Sequence, residues 1–351
     1  MSQEADAAAQ VLFVPFESGV LAWPSRGAFL RAKLNAELLA RPRDSVVCEQ
    51  SFKPQADALR NAGFQVWPEL PANATGLPLV LVLPPRQREE ARALLARALR
   101  LARCDGQVVA AASNAAGART LERDFERLSG GIATLSKRKC RVFWTTGAGV
   151  RNEALISEWL DLDAPRPILD GRFVSRPGVF AWDRLDAASH LLVEELPDSL
   201  SGSAADLGAG FGFIADELLR RCPGIRALDV YEADARALEL AKRNLSPHER
   251  RVAIEYRWHD VSAGLLDTYD VVVTNPPFHS DSGTDDPGIG KRFIAAAARA
   301  LNPGGRFYLV ANRHLPYEDV LHANFRSVRI LAQRDGFKVI EALAPSKRSQ
   351  S

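Results

Sequence analysis

The 351-residue chain is short of several things, and each shortage narrows what it is. Its four cysteines, Cys48, Cys104, Cys140 and Cys222, form no Cys-x-x-Cys pair, so neither a zinc site nor a disulfide framework is expected. No apolar run approaches the roughly 18 residues of a membrane helix; the stretch 77–85 has only the length of a strand. The opening Met-Ser-Gln-Glu-Ala-Asp lacks the basic and apolar regions of a signal peptide, so a cytoplasmic monomer or small homo-oligomer is expected. Net charge is nearly absent, with 45 Lys and Arg against 43 Asp and Glu. That excludes a histone-like binder but leaves room for an enzyme with a local basic patch. Lysine is scarce, 8 against 37 arginines. Arginine's planar fork suits phosphates and stacked bases, although codon bias produces the same excess. No metal-ligand cluster, nucleophilic triad or carboxylate pair stands out, and no metal is expected.

What is present is alternation. In the second half, strands are expected at 203–207, 227–231, 252–256, Tyr269–Thr274 and 306–311, with helices at 214–221, 233–244 and 289–301. Strands alternating with helices predict βαβ units and a parallel-type sheet covered on both faces. The first half alternates less cleanly, with strands at 45–48, 77–83 and 107–112 and helices at 88–104 and 119–128. Val80-Leu81-Val82-Leu83-Pro84-Pro85, a helix, Gly106, a strand and Asn114 are echoed by Val271-Val272-Val273-Thr274-Asn275-Pro276-Pro277, a helix, Gly304-Gly305, a strand and Asn312. This order reads as a duplicated α/β domain. The pattern breaks at 161–167, so the domains are expected at 1–165 and 166–351.

Asp206-Leu207-Gly208-Ala209-Gly210-Phe211-Gly212 joins a strand to a helix. Glycines there let a backbone approach a ligand, and the N–H groups of the helix start face whatever binds. Alone, such a turn serves a dinucleotide, a methyl donor or simple chain reversal. Glu232, 20 residues after Gly212 and at the end of the next strand, is placed to accept from ribose hydroxyls. Asp229, inside the strand, and Asp234, a plausible helix cap, compete for that role. Asp260 and Val261 follow the next strand, where a carboxylate would meet an adenine amino group or merely cap a turn. The segment Asn275-Pro276-Pro277-Phe278 decides the chemistry. Two prolines fix the backbone and remove two donors. The Asn275 amide oxygen and the Pro276 carbonyl then become rigid acceptors for both hydrogens of an exocyclic amine. Gripping both favours pyramidalisation and aims the nitrogen lone pair at an electrophile. Phe278 would stack on the base.

Asp-x-Gly-x-Gly-x-Gly followed by Asn-Pro-Pro-Phe resembles the class I S-adenosylmethionine-dependent amino methyltransferases. With His279 and Ala311-Asn312-Arg313-His314-Leu315-Pro316-Tyr317, the chain is similar to the ribosomal RNA guanine-N2 methyltransferases, the small-subunit RsmC family. Segments 136–142, 177–180, Leu185-Asp186 and 336–339 share the resemblance, which is close from 136 to 344 and rests on layout before that. Ala209 stands where many relatives have Cys.

The resemblance implies two tandem Rossmann-like methyltransferase domains, the first degenerate, and S-adenosyl-L-methionine as cofactor. Gly208, Ala209, Gly210 and Gly212 would wrap its methionine part, with Asp206 bracing the loop. Glu232 would hold the ribose, and Asp260 with Val261 the adenine. Asn275, Pro276 and Pro277 would position the guanine amine and Phe278 would stack on the base; His279 stays open between a base or phosphate contact and a bystander. The expected partner is rRNA of the small ribosomal subunit, with no membrane. In the first half, residues 45–51 occupy the place where a Gly loop is expected, and Leu83 precedes Pro84-Pro85. That half is expected to bind no methyl donor, to support the other and to offer Lys137-Arg138-Lys139 and Arg141 to phosphates. Other readings are a large-subunit guanine, an adenine amine, a protein glutamine amide, an inactive RNA-binding scaffold and a nicotinamide dehydrogenase. The intact Asn275–Phe278 segment speaks against the last two.

Overall fold

The computed structural model describes residues 3–71, 73–147, 149–277 and 287–345. The chain divides into two compact units, Met1–Pro165 with Arg176–Gly178, and Arg166–Ser175 with Val179–Ser351.

The first unit is built on β1 (Ala28–Leu30), β2 (Val47–Glu49), β3 (Val66–Trp67), β4 (Leu77–Val82), β5 (Ala102–Ser113), β6 (Ile132–Lys137) and β7 (Cys140–Thr145). They form one sheet in the order β3-β2-β1-β4-β5-β7-β6. The second unit opens on a small hairpin, β8 (Arg166–Ile168) and β9 (Phe173–Ser175). Its sheet uses β10 (Ser201–Leu207), β11 (Gly224–Glu232), β12 (Ala253–Trp258), β13 (Tyr269–Thr274), β14 (Leu301–Asn312), β15 (Ser327–Arg334) and β16 (Phe337–Leu343), in the order β12-β11-β10-β13-β14-β16-β15. The two orders are the same, strand for strand.

Each sheet is mixed rather than wholly parallel. Five strands run parallel, and the last hairpin of each unit, β6–β7 or β15–β16, joins antiparallel. The helix expected over 88–104 ends at Leu101, because Ala102 turns extended and pairs with Leu77.

Alternation along the buried strands divides the second unit's core between the two faces of its sheet. Ala204, Leu228, Val230, Val271, Val273, Tyr308 and Val310 contribute to one cluster, and Ala205, Leu207, Tyr231, Val272, Phe307 and Leu309 to the other. The chain leaves the central strand β10 toward β11 on one side and reaches β13 on the other. Strand order reverses between β10 and β13. A crevice forms outside the carboxyl ends of the strands at such a point, and ligands of α/β sheets bind there.

Candidate functional site

Both chemical segments of the sequence end at this reversal. Leu207 closes β10 directly beside Thr274, the last residue of β13. The Thr274 hydroxyl donates to the Leu207 carbonyl at 2.7 Å, tying the glycine loop to the strand that delivers Asn275. A cleft opens over this junction. It is lined by Gly208, Ala209 and Gly210, by Phe180 and Asp186, and by Asn275, among others.

The loop needs its glycines at two positions in particular. Gly208 and Gly210 have φ of +74° and +58°, in the left-handed region that side chains disfavour. A Cβ on Gly210 would meet no protein atom, so the backbone there faces open space. The helix Phe213–Arg221 begins immediately after, with its first N–H groups at the same end of the sheet.

Of the three carboxylates, Glu232 is the one that bonds to the glycine loop. Its Oε2 accepts from the Gly210 N–H and its Oε1 from the Asp234 N–H, each at 2.8 Å. It therefore braces the glycine loop from β11. Each oxygen keeps a lone pair for a further donor. Asp229 is committed elsewhere, accepting from Arg257 and from the Tyr269 hydroxyl. Asp234 caps the helix Ala235–Leu245 through the Arg236 N–H.

Asp206 does not brace the loop as the family resemblance implied. It is fully buried at the end of β10, and neither carboxylate oxygen has a partner of good hydrogen-bond geometry. Burial, then the nearby Glu232 charge, push its pKa up to about 8; the Ala215 backbone N–H pulls the other way. Burial also raises Glu232, against the N–H groups of Asp234 and Gly210. A buried acid without a partner beside the half-buried Glu232 suits a ligand that brings positive charge and hydroxyl donors. S-adenosylmethionine has both, and the residues present fit it.

Asp260 caps the short helical turn Val261–Ala263 through the Ser262 N–H, at 2.8 Å, and Val261 is buried in the core. Capping uses one carboxylate oxygen and leaves the other available.

Asn275 is the best-determined polar group of the site. Its Nδ2 donates to Asp186 Oδ2 and to Ser189 Oγ, both at 2.9 Å. Asp186 in turn caps the helix Ala187–Glu195, accepting from the Ser189 N–H and hydroxyl. The amide's donor end is thereby used, and Oδ1 remains as its free acceptor among the described residues. Pro276 is buried and Pro277 exposed. Phe278 and His279 lie outside the described residues.

Sequence reasoning assigned no role to Asp186, Ser189 or Phe180. Phe180 is 60% exposed at the cleft, beside Ala181, which holds a left-handed φ of +49°. Segments 177–180 and 185–186 carried the family resemblance, which was the available signal.

The first unit shows what the same place looks like without the chemistry. Pairing of Leu30 with Val82 corresponds to pairing of Leu207 with Thr274. On that register Phe29 stands at the position of Asp206, Arg31 at Gly208, Lys33 at Gly210, Asn35 at Gly212 and Leu83 at Asn275. Arg31 keeps the left-handed turn, with φ +54°, and its guanidinium lies on Glu90 at 2.5 Å. Gln50 replaces Glu232. Its Oε1 accepts from the Phe52 N–H at 2.9 Å, as Glu232 does from Asp234, but its Nε2 donates to the Ala32 carbonyl. Residues 45–51 thus hold β2 and the counterpart of Glu232; the counterpart of the glycine loop is 31–35. The three-residue strand β1 ahead of that loop was too short for the sequence pattern to register. Equilibrium titration is expected to find one S-adenosylmethionine bound per chain; a stoichiometry of two would overturn the assignment of the first unit as empty.

Fold and site define a Rossmann-like, S-adenosylmethionine-dependent methyltransferase. The chain matches the Methyltransferase small domain family over residues 170–341. It is 30% identical to the ribosomal RNA small subunit methyltransferase C of Shewanella loihica, over 77% of this chain and 78% of that protein. The Pasteurella multocida protein of the same name is 30% identical over 72% and 76%. Among solved structures, a T. thermophilus 16S rRNA N2 methyltransferase (RsmC), in complex with AdoMet and guanosine, aligns with a TM-score of 0.77. It is 25% identical and covers 96% of this chain and 92% of its own. The chain belongs to the ribosomal RNA small subunit methyltransferase C family.

Proposed function

We propose that this protein transfers a methyl group from S-adenosylmethionine to the exocyclic N2 of a guanine in small-subunit rRNA. The observation that carries the reading is the fixed Asn275 amide, its donor end held and its acceptor free, beside a glycine loop braced by Glu232. When bound, the cofactor supplies a methyl carbon activated by a positively charged sulfur. The chain's own task is then positioning. Gly208, Ala209, Gly210 and Gly212 admit the methionine part, beside Asp206. Glu232 accepts from the ribose hydroxyls, and Asp260 with Val261 meets the adenine. Asn275 Oδ1 and the Pro276 carbonyl take the two amine hydrogens. Pro277 stiffens that turn, and Phe278 stacks on the base. Proton loss follows attack, so no strong base is needed. The target base leaves its stack to enter the cleft.

The domains are read as 1–165, degenerate, and 166–351, catalytic. The first supports the second and engages RNA. Its β6–β7 hairpin exposes Lys137, Arg138 and Lys139 at the turn, where phosphates are accessible. Arg141 does not join them, because it pairs with Glu122 at 2.5 Å. The assembled small subunit is the natural substrate form, and the cytoplasm the place of action. No described helix is long and apolar enough to cross a membrane. Among the described residues no group of three metal-ligating side chains gathers.

The test is transfer from methyl-tritiated S-adenosylmethionine to naked 16S rRNA, assembled small subunits and large subunits, followed by nucleoside analysis. Label is expected in N2-methylguanosine of small-subunit RNA. Label in adenosine, in large-subunit RNA or in protein would reject the assignment.

A further inference from the structure

We infer that Asp186 and Ser189 are positioning residues that lock the Asn275 amide with its oxygen toward the substrate amine; this rests on the function proposed above. An asparagine amide has two nearly isosteric ends of opposite chemistry. Only the oxygen end can receive an amine hydrogen. The nitrogen end would oppose donor to donor and expel the substrate group. Something must therefore decide which way the amide faces.

The decision lies 86 and 89 residues away in sequence, on the first turn of the helix Ala187–Glu195. Asp186 Oδ2 gathers three donors: the Ser189 N–H at 2.8 Å, the Ser189 hydroxyl at 2.9 Å and Asn275 Nδ2 at 2.9 Å. A carboxylate offers no hydrogen. The Ser189 hydroxyl has spent its one hydrogen on Asp186, so toward Asn275 its oxygen can only accept. Both neighbours of the Asn275 side chain are therefore acceptors. Turning the amide round would set its oxygen against two oxygens and lose two hydrogen bonds. The helix cap thus serves as a one-way seat for the amide. Ordinary capping needs only the Asp186-to-Ser189 N–H bond; the other two bonds face the cleft and do nothing for the helix.

Asp186→Ser separates these roles. A serine hydroxyl still caps the helix. Its shorter side chain draws the acceptor back from Asn275 and leaves the amide free to reverse. Expected are unchanged thermal stability, S-adenosylmethionine affinity within about threefold, and a fall in kcat of about 10–100-fold, the scale of a misaligned reacting group. Ser189→Ala removes one bond and is expected to cost about fivefold.

The decisive measurement is a double-mutant cycle in single turnover on small subunits. If Asp186 acts through Asn275, Asp186→Ser costs less than about twofold in the Asn275→Ala background. Losses that multiply would overturn the inference, as would a fall in cofactor affinity that matches the fall in rate. Should Asn275→Ala itself leave turnover intact, the proposed reading of the site fails. Should Asn275→Ala abolish turnover while Asp186→Ser leaves it intact, only the positioning role fails.

Discussion

Asn275→Ala is expected to bind S-adenosylmethionine as the parent does and to transfer methyl groups about 10²–10³-fold more slowly, the usual cost of removing one preorganised polar group from a reacting centre. The separation of the two effects follows from where the side chain is held. Asn275 hangs from the end of β13 and spends its nitrogen on Asp186 and Ser189. The glycine loop is braced by a different residue, Glu232, through the Gly210 N–H. Thr274, not Asn275, bonds to the Leu207 carbonyl. Truncating Asn275 therefore leaves the loop and its brace in place. What disappears is one of the two acceptors proposed for the substrate amine. A conjugated amine is planar and weakly nucleophilic; held by one hydrogen, it stays so. Calorimetry with the cofactor and single-turnover transfer to small subunits read the two effects separately. Parallel loss of both would move Asn275 to the cofactor site, and a transfer rate within tenfold of the parent's would remove it from the reaction.

The glycine loop and its flanking elements were legible in the sequence because the rules that place them are local. A strand end, a Gly-rich turn and a helix start lie within ten residues, and Asp206 to Gly212 spans them. Glu232 was separable from Asp229 and Asp234 on the same grounds. Asp229 faces its sheet neighbours Arg257 and Tyr269, and Asp234 caps the helix that follows. Asp186 and Ser189 were not legible as part of the site. Their cap is local, but their bonds to Asn275 depend on how the helix Ala187–Glu195 lies across the end of the sheet. Asp206 misled for a related reason. Sequence position puts it at the loop; the structure buries it, and neither carboxylate oxygen has a partner of good hydrogen-bond geometry. In the first unit, strands of two or three residues carry the fold, so β1 escaped notice and the counterpart of the glycine loop was sought one strand too late. Gln50 then became recognisable only through its bonds to Phe52 and Ala32, which repeat those of Glu232 with one end changed from acceptor to donor.

Asp206 carries the second large effect, on the pH dependence of both stability and cofactor binding. Its folded pKa of about 8 lies far above the 3.8 of an exposed aspartate. Below pH 4 both states of the chain hold the proton. Between pH 4 and 8 the unfolded chain releases it while the folded chain keeps it, so stability falls as pH rises, and levels off above 8. The full span is worth on the order of 5 kcal/mol. Asp206→Asn removes the titrating group at nearly constant shape. The variant is expected to melt above the parent at pH 8, by a margin that shrinks toward pH 5. Cofactor binding runs the opposite way. A sulfonium and an ammonium bound near Asp206 and Glu232 would favour the ionised carboxylates, so S-adenosylmethionine affinity should rise from pH 6 to pH 8 with release of a proton. Calorimetry in buffers of different ionisation enthalpy counts that proton. In Asp206→Asn the affinity should be lower at pH 8 and its slope flatter, though not flat, because Glu232 is also raised by burial and titrates with its neighbour. S-adenosylhomocysteine, whose sulfur is uncharged, should show a weaker pH dependence than S-adenosylmethionine in the parent. A variant whose stability and affinity follow pH as the parent's do would place the titrating group elsewhere and leave Asp206 a structural end to β10.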